Sequence, residues 1–190
     1  MMSAMSESAA RPTPIPGVSI IGRTRFSDER GFLERVFDAQ GTSGLLGERR
    51  IQQVNRTFTR ESGTVRGLHL QLPPNAEIKV VSCLRGSVFD VAVDLRPGSS
   101  TFGEWFGCEL TADNGRALWI PEGCAHGVQT LESESELLYL HTADYAPESE
   151  ATLHPLSAAV GIDWPREISR LSERDASAPA FLDAFEGVSW

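Results

Sequence analysis

VVSCLRGSVFDVAVDLRPGSSTFGEW, residues 80–105, decides the architecture. Two apolar runs rich in valine are split at Arg85-Gly86 and closed by Pro97-Gly98-Ser99. Each run is too short for a helix of ordinary length, and both are β-branched between turn formers, so both are predicted strands. Strand parity assigns Phe89, Val91, Val93 and Leu95 to one face, and Asp90, Ala92 and Asp94 to the other. Outward from here the pattern repeats. ALWIPEGCAHGVQTL (117–131) gives a strand, a Pro-Glu-Gly turn and another strand, and SELLYLHTADY (135–145) gives one more. In the latter, Leu137, Tyr139 and His141 share a face. Short strands at even spacing predict an all-β sandwich or barrel. Helical periodicity is poor before residues 166–184, where REISRLSERD predicts a turn or two. The expected organisation is a disordered tail over 1–16, one domain over 17–165 and a C-terminal extension over 166–190 that packs back on it.

Composition narrows the function. A chain of 190 residues can form one domain with a real core. No apolar run approaches the ~20 residues of a membrane span, and the small, polar, proline-rich start lacks a signal-peptide pattern. A net charge of −9 argues against nucleic-acid and membrane-surface partners. Cys83, Cys108 and Cys124 are odd in number and form no CxxC pair, which fits a reducing cytoplasm rather than a disulfide framework.

Within GTVRGLHLQLPPNAEIKVV (63–81), Arg66, His69 and Lys79 interrupt an apolar strand pattern. Alternation puts Gly67, His69 and Gln71 on one side and Arg66, Leu68 and Leu70 on the other. Arg66 and His69 therefore diverge unless Gly67 kinks the strand. A Pro-Pro turn returns the chain so that Lys79 can lie beside His69, and the next strand carries Asp90. A neutral imidazole near a lysine and carboxylates suits a general base. Against this stands a plain core histidine. For Tyr139 the alternatives are core packing and a phenol donating a proton opposite a base. Arg30, Arg66 and Lys79 are either solvated charges or a diphosphate clamp. The spacing of His69, Glu77 and His126 is similar to metal-binding cupins, but Gln71 stands where a second histidine ligand is expected.

Taken in order, DERGF (28–32), the Q-x-N of Gln53 and Asn55, RGLHLQ (66–71), Lys79, RGSVFDVAVDLR (85–96), TFGEW (101–105), LWIPEGCAHG (118–127), LLY (137–139), YAPESE (145–150), GIDWP (161–165) and LSERD (171–175) closely resemble the dTDP-4-dehydrorhamnose 3,5-epimerase family. The resemblance implies a cupin-type double-stranded β-helix, or jelly roll, with a short helical C-terminal extension. It implies an isomerase that needs no cofactor or metal and acts on a nucleotide-diphosphate-linked 4-keto-6-deoxyhexose, inverting C3, C5 or both. By position, His69 matches the catalytic base, Asp175 its partner, Tyr139 the general acid and Lys79 the lysine at the C4 oxygen. Arg66 and Arg30 match diphosphate contacts, with Arg30 reaching in from a neighbouring subunit. Phe26, Gln53, Asn55, His126 and Tyr145 match positions lining the cleft. A homodimer with an exchanged N-terminal strand is implied as well.

The chain departs from the family pattern at Arg35, at Leu140-His141-Thr142 in place of a lysine and two threonines, at Asp144 in place of a tyrosine, and across LHPLSAAV (153–160). Other readings on the same sequence are a 3,4-ketoisomerase, a C3-only epimerase, a metal-dependent cupin oxygenase and a sugar-binding cupin without catalysis.

Overall fold

The computed structural model describes residues 10–180 and Phe185. Thirteen strands and two single-turn helices run in the order β1 (Ala10–Pro12), β2 (Ser19–Gly22), β3 (Arg25–Asp28), β4 (Gly31–Glu34), α1 (Ser43–Leu46), β5 (Gln53–Thr59), β6 (Val65–Gln71), β7 (Lys79–Arg85), β8 (Ser87–Asp94), β9 (Trp105–Thr111), β10 (Arg116–Ile120), β11 (Cys124–Thr130), β12 (Ser135–His141), β13 (Glu150–Thr152) and α2 (Glu173–Ala176). Two antiparallel sheets face each other. One has the order β1-β2-β10-β7-β12-β5 and the other β13-β6-β11-β8-β9. This is the double-sheet jelly roll that the resemblance implies, within the sandwich or barrel class that the strand spacing predicts. The pair β3-β4 forms a separate hairpin.

The stretch 80–105 shows why two sheets form. Gly86, at φ +75°, occupies the left-handed backbone that glycine takes without strain, and it sends β7 into one sheet and β8 into the other. An added Cβ there would lie 2.5 Å from the Ser135 hydroxyl oxygen. Both faces of β8 are then covered, which its near-continuous apolar sequence requires. Val88 and Ala92 enter the core between the sheets with Val81, Cys83, Leu110, Leu118, Ile120, Val128 and Leu137. Val91, Val93 and Leu95 face the outer side, beneath Leu153, Val160, Phe185 and Trp164. The other sheet has its own outer cluster, in which Trp119, Val80 and Leu140 pack under Leu46 of α1. Two departures from the family pattern are thus core positions. Leu140 belongs to this outer layer, and Leu153 and Val160 of LHPLSAAV are buried on the opposite side.

The expected start of the domain at residue 17 needs correction. Ala10–Pro12 pairs with Ser19–Gly22, and Ile15 is fully buried in the central core, so the domain begins by residue 10. A proline-rich segment reads as a tail because it lacks strand formers, yet one well-placed isoleucine and an edge-strand register anchor it. Residues 1–9 of the expected tail, and 181–184 and 186–190 of the expected extension, lie outside the described residues. Among the described residues, the α-helix of the extension is α2, capped by the Ser172 hydroxyl accepting from Asp175 N at 3.0 Å. A parallel bridge between Thr64 and Arg170, and the bond from Ser169 N to Gly63 O (3.0 Å), lay this segment along the start of β6. The three cysteines are buried and unpaired. No helix among the described residues is long and apolar enough to cross a membrane.

Candidate active site

A cavity of about 580 Å³ opens between the sheets, a size within the roughly 300–1,000 Å³ of small-molecule sites. Its walls come from β6 and β11 on one side and from β5, β7 and β12 on the other, with the segment around α2 closing one flank.

The first wall depends on a break in strand parity. Between β6 and β11, His126 pairs with His69 but the next residue, Gly127, pairs with Gly67, so Leu68 is an extra residue. The resulting bulge resets the alternation, and Arg66 and His69 both line the cavity. Gly67 makes this possible. Its φ is +130°, and an added Cβ would sit 2.6 Å from the Gly127 Cα. The kink considered from sequence is therefore present and re-aims the arginine. Lys79 lies beside His69 as expected, with Nζ donating to the His69 carbonyl at 3.1 Å.

His69 Nε2 lies 2.6 Å from Asp175 Oδ1. Asp175 is almost fully buried at the start of α2, and its second oxygen accepts from Gly67 N at 3.4 Å. Nε2–H donates to the carboxylate, which leaves Nδ1 with the lone pair. Burial lowers the His69 pKa from its ordinary value. The Asp175 bond and charge oppose this, and the Lys79 and Arg174 charges reinforce it. The ring is thus neutral near pH 7. Asp90 does not join this pair. It is wholly buried, and its Oδ1 lies 2.7 Å from His126 Nε2. Burial pushes the Asp90 carboxyl up, against the pull of His126.

The opposite wall keeps regular parity. Tyr139 and His141 of β12 face the cavity, and Asn55 of β5 sits across from Tyr139. The Tyr139 ring packs edge-on to His126 (5.7 Å between centroids) and nearly parallel to His141 (6.1 Å, 21°). Burial raises its phenol far above the usual value, helped by the Asp90 charge and opposed by a hydrogen bond with Thr57. Tyr145 lines the mouth, exposed, with its hydroxyl donating to Glu150 Oε2 at 3.0 Å.

The cavity's charge differs in sign from the whole chain. Arg66, Lys79, Arg170 and Arg174 stand against Glu77, Glu150 and Asp175. Arg174 is paired with Glu150 (2.7 Å) and Arg170 with Glu61 (3.2 Å). Arg66 makes no ion pair among the described residues and donates from Nε to the Thr59 hydroxyl at 3.2 Å. Its remaining guanidinium donors are open to an anionic ligand.

Of the sequence-predicted residues, His69, Asp175, Tyr139, Lys79, Asn55, Arg66, His126 and Tyr145 all line this one cavity. Three do not. Gln53 sits at the start of β5, across from His141 and outside the lining. Phe26 and Arg30 belong to the β3-β4 hairpin, exposed and away from the chain's own cavity, with Arg30 paired to Asp28 at 2.6 Å. Among the lining residues outside the predicted set are Thr57, His141, Glu150, Arg170 and Arg174. The two arginines had a signal, since SRLSERD (169–175) sets two cations just before Asp175 in an otherwise acidic chain.

The cupin metal set is not assembled. His69 is held by Asp175 and His126 by Asp90, while Glu77 is held by Lys79 (3.2 Å) and His141 (2.8 Å). Among the described residues no group of three or more His, Cys, Asp or Glu side chains is placed to hold a metal ion. Gln71, at the position of a second histidine ligand, is a structural residue. It donates to Asn75 O and Asp144 O and accepts from Ala146 N, which fixes the loop carrying Tyr145.

Comparison with known proteins identifies the family. Residues 12–183 match the family model described as dTDP-4-dehydrorhamnose 3,5-epimerase. The dTDP-4-dehydrorhamnose 3,5-epimerase of Salmonella typhimurium is 45% identical over 169 residues, covering 88% of this chain and 92% of that one. A dTDP-6-deoxy-D-glucose-3,5-epimerase of Legionella pneumophila, solved with dTDP-4-keto-L-rhamnose, superposes with a TM-score of 0.86 at 42% identity over 92% of this chain and 93% of that chain. A 3'-monoepimerase of Streptomyces bikiniensis, solved with dTDP-quinovose, has a TM-score of 0.83 at 32% identity over 89% and 86%. With fold and sequence in agreement, this chain belongs to the dTDP-4-dehydrorhamnose 3,5-epimerase family.

Proposed function

We propose that the protein inverts both C3 and C5 of a dTDP-linked 4-keto-6-deoxyhexose. The observation that carries this reading is the placement of His69 and Tyr139 on opposing sheets of one cavity, with Lys79 beside them. A C4 ketone acidifies the hydrogens on C3 and C5. His69 Nδ1 takes one of these protons, and the electron pair moves onto the C4 oxygen as an enolate. The Lys79 ammonium stabilises that developing charge. The Tyr139 phenol returns a proton to the carbon from the other face, and solvent resets both groups. One proton leaves and one arrives, so the substrate is isomerised with no change in oxidation state. The Asp175 carboxylate stabilises the imidazolium that forms.

Arg66 suits the diphosphate, and the excess of cations in the cavity explains how an acidic chain attracts an anionic ligand. We assign Phe26 and Arg30 to the cavity of a second copy. The hairpin exposes Phe26, Phe32 and Leu33, and a homodimer that exchanges this N-terminal segment would bury them.

The test is solvent deuterium exchange into dTDP-4-keto-6-deoxyglucose in heavy water, followed by NMR. The wild type is expected to incorporate two deuterium atoms per sugar. His69→Ala is expected to lose ~100–10,000-fold of the exchange rate. A single deuterium would replace double inversion with epimerisation at one carbon, and wild-type exchange in His69→Ala would remove His69 from the base role.

A further inference from the structure

Glu77 joins two of the cavity's groups. Its Oε1 lies 3.2 Å from Lys79 Nζ and its Oε2 lies 2.8 Å from His141 Nδ1. Lys79 and His141 are direct cross-strand partners in the β7-β12 ladder, so strand register alone sets them side by side. All three side chains line the cavity and are largely buried. Burial would raise the Glu77 carboxyl. The His141 hydrogen bond and the Lys79 charge outweigh it and hold the group below its ordinary value, so it is an anion. His141 must then donate its Nδ1 proton to it.

The Lys79 ammonium has three N–H bonds. One goes to Glu77, and one goes to the His69 carbonyl on the opposing sheet at 3.1 Å. The third remains for a ligand in the cavity. The direction of that third bond depends on where Glu77 sits, and His141 is the other group that holds Glu77. The same imidazole lies nearly parallel to the Tyr139 ring.

We propose that His141 is a positioning residue for the epimerisation, fixing through Glu77 the direction in which Lys79 meets the sugar's C4 oxygen. The proposal rests on the role given to Lys79 above. It concerns a position at which this chain departs from the pattern it resembles, with His141 where that pattern carries a threonine. Without His141, a buried carboxylate would be left with lysine as its one strong partner. A tighter Lys79–Glu77 pair would then draw the ammonium away from the carbonyl.

Steady-state kinetics on dTDP-4-keto-6-deoxyglucose test this. His141→Phe keeps an aromatic ring against Tyr139 but cannot donate, and it should lower kcat about tenfold with KM within about twofold. His141→Asn, whose amide N–H falls near the Nδ1 position, should restore most of the loss. In a Glu77→Gln background, His141→Phe should cost nothing further. Wild-type kcat in His141→Phe, beside a loss of at least ~100-fold in Lys79→Ala, overturns the proposal while leaving the Lys79 role intact. Wild-type kcat in Lys79→Ala overturns that role itself. Should His141→Phe fail to fold, His141→Gln takes its place, because its amide falls near Nε2 instead. Activity with asparagine and loss with glutamine supports the proposal, and equal activity of the two sinks it.

Discussion

His69 and Tyr139 face the same cavity from opposing sheets, and their surroundings push their proton affinities apart. The His69 side chain is 30% exposed and is lowered by burial, though Asp175 pulls it up; Tyr139 is 8% exposed, and burial pushes its phenol far up. One wall is therefore suited to accept a proton and the other to keep one until a strongly basic carbon arrives. The walls also differ in construction. The Tyr139 wall is regular from Leu137 to His141, where register alone sets Tyr139 and His141 into the cavity; its one register shift lies between Glu136 and Leu137, away from the cavity residues. The base wall needs a bulge at Leu68, a glycine at φ +130° and a carboxylate from 106 residues away.

Removing the phenol tests the acid wall most severely. Tyr139→Phe keeps the ring against His126 and His141, so the fold should hold. Epimerised product should fall by ~100–10,000-fold. Deuterium exchange should continue at the base face, because His69 can still remove and return a proton on its own side. Equal loss of product and exchange would mean that the walls do not act separately.

Asp175→Asn probes the base wall and has a signed pH dependence. Asp175 raises the His69 pKa, and burial lowers it. Asparagine removes the opposing pull, so the imidazole's pKa drops further. The base form would then persist to lower pH, and the acid limb of kcat/KM should move down. The plateau should fall about 100-fold, because a weaker and less well-oriented base abstracts more slowly. An acid limb that stays in place, or moves up, would show that Asp175 does not set the protonation of His69.

The difference in construction also explains what sequence could and could not reveal. Periodicity was sufficient for β8 and β12, where alternation held and both faces met apolar layers. It failed at β6, where simple alternation sends Arg66 away from His69 and only Gly67 hinted otherwise. It could not pair Asp175 with His69, since no local pattern encodes a contact between a capped turn and a distant strand; family resemblance supplied that pairing. Asp90 misled by proximity in sequence, for its strand pairs with β11, which carries His126, and β11 separates it from β6 and His69. His141 and Glu77 gained meaning only once the register set their neighbours. The N-terminal boundary erred because a single buried isoleucine outweighed the polar, proline-rich composition around it.

The hairpin offers the smallest expected effect and a test of whether the cavity is complete in one chain. Arg30 is 86% exposed, and its pairing with Asp28 is a local surface contact. Arg30→Ala should therefore leave stability and kcat nearly unchanged and raise KM about tenfold through loss of one diphosphate contact. If the contact is made across a dimer, Arg30→Ala and His69→Ala subunits should complement each other. A mixed dimer has one cavity with its own His69 and the partner's intact hairpin. At substrate well below KM, equal mixing with free exchange should then raise the rate per Arg30→Ala subunit about fivefold. No rise after demonstrated subunit exchange would return Arg30 to the surface, since a contact within one chain cannot be repaired by a partner.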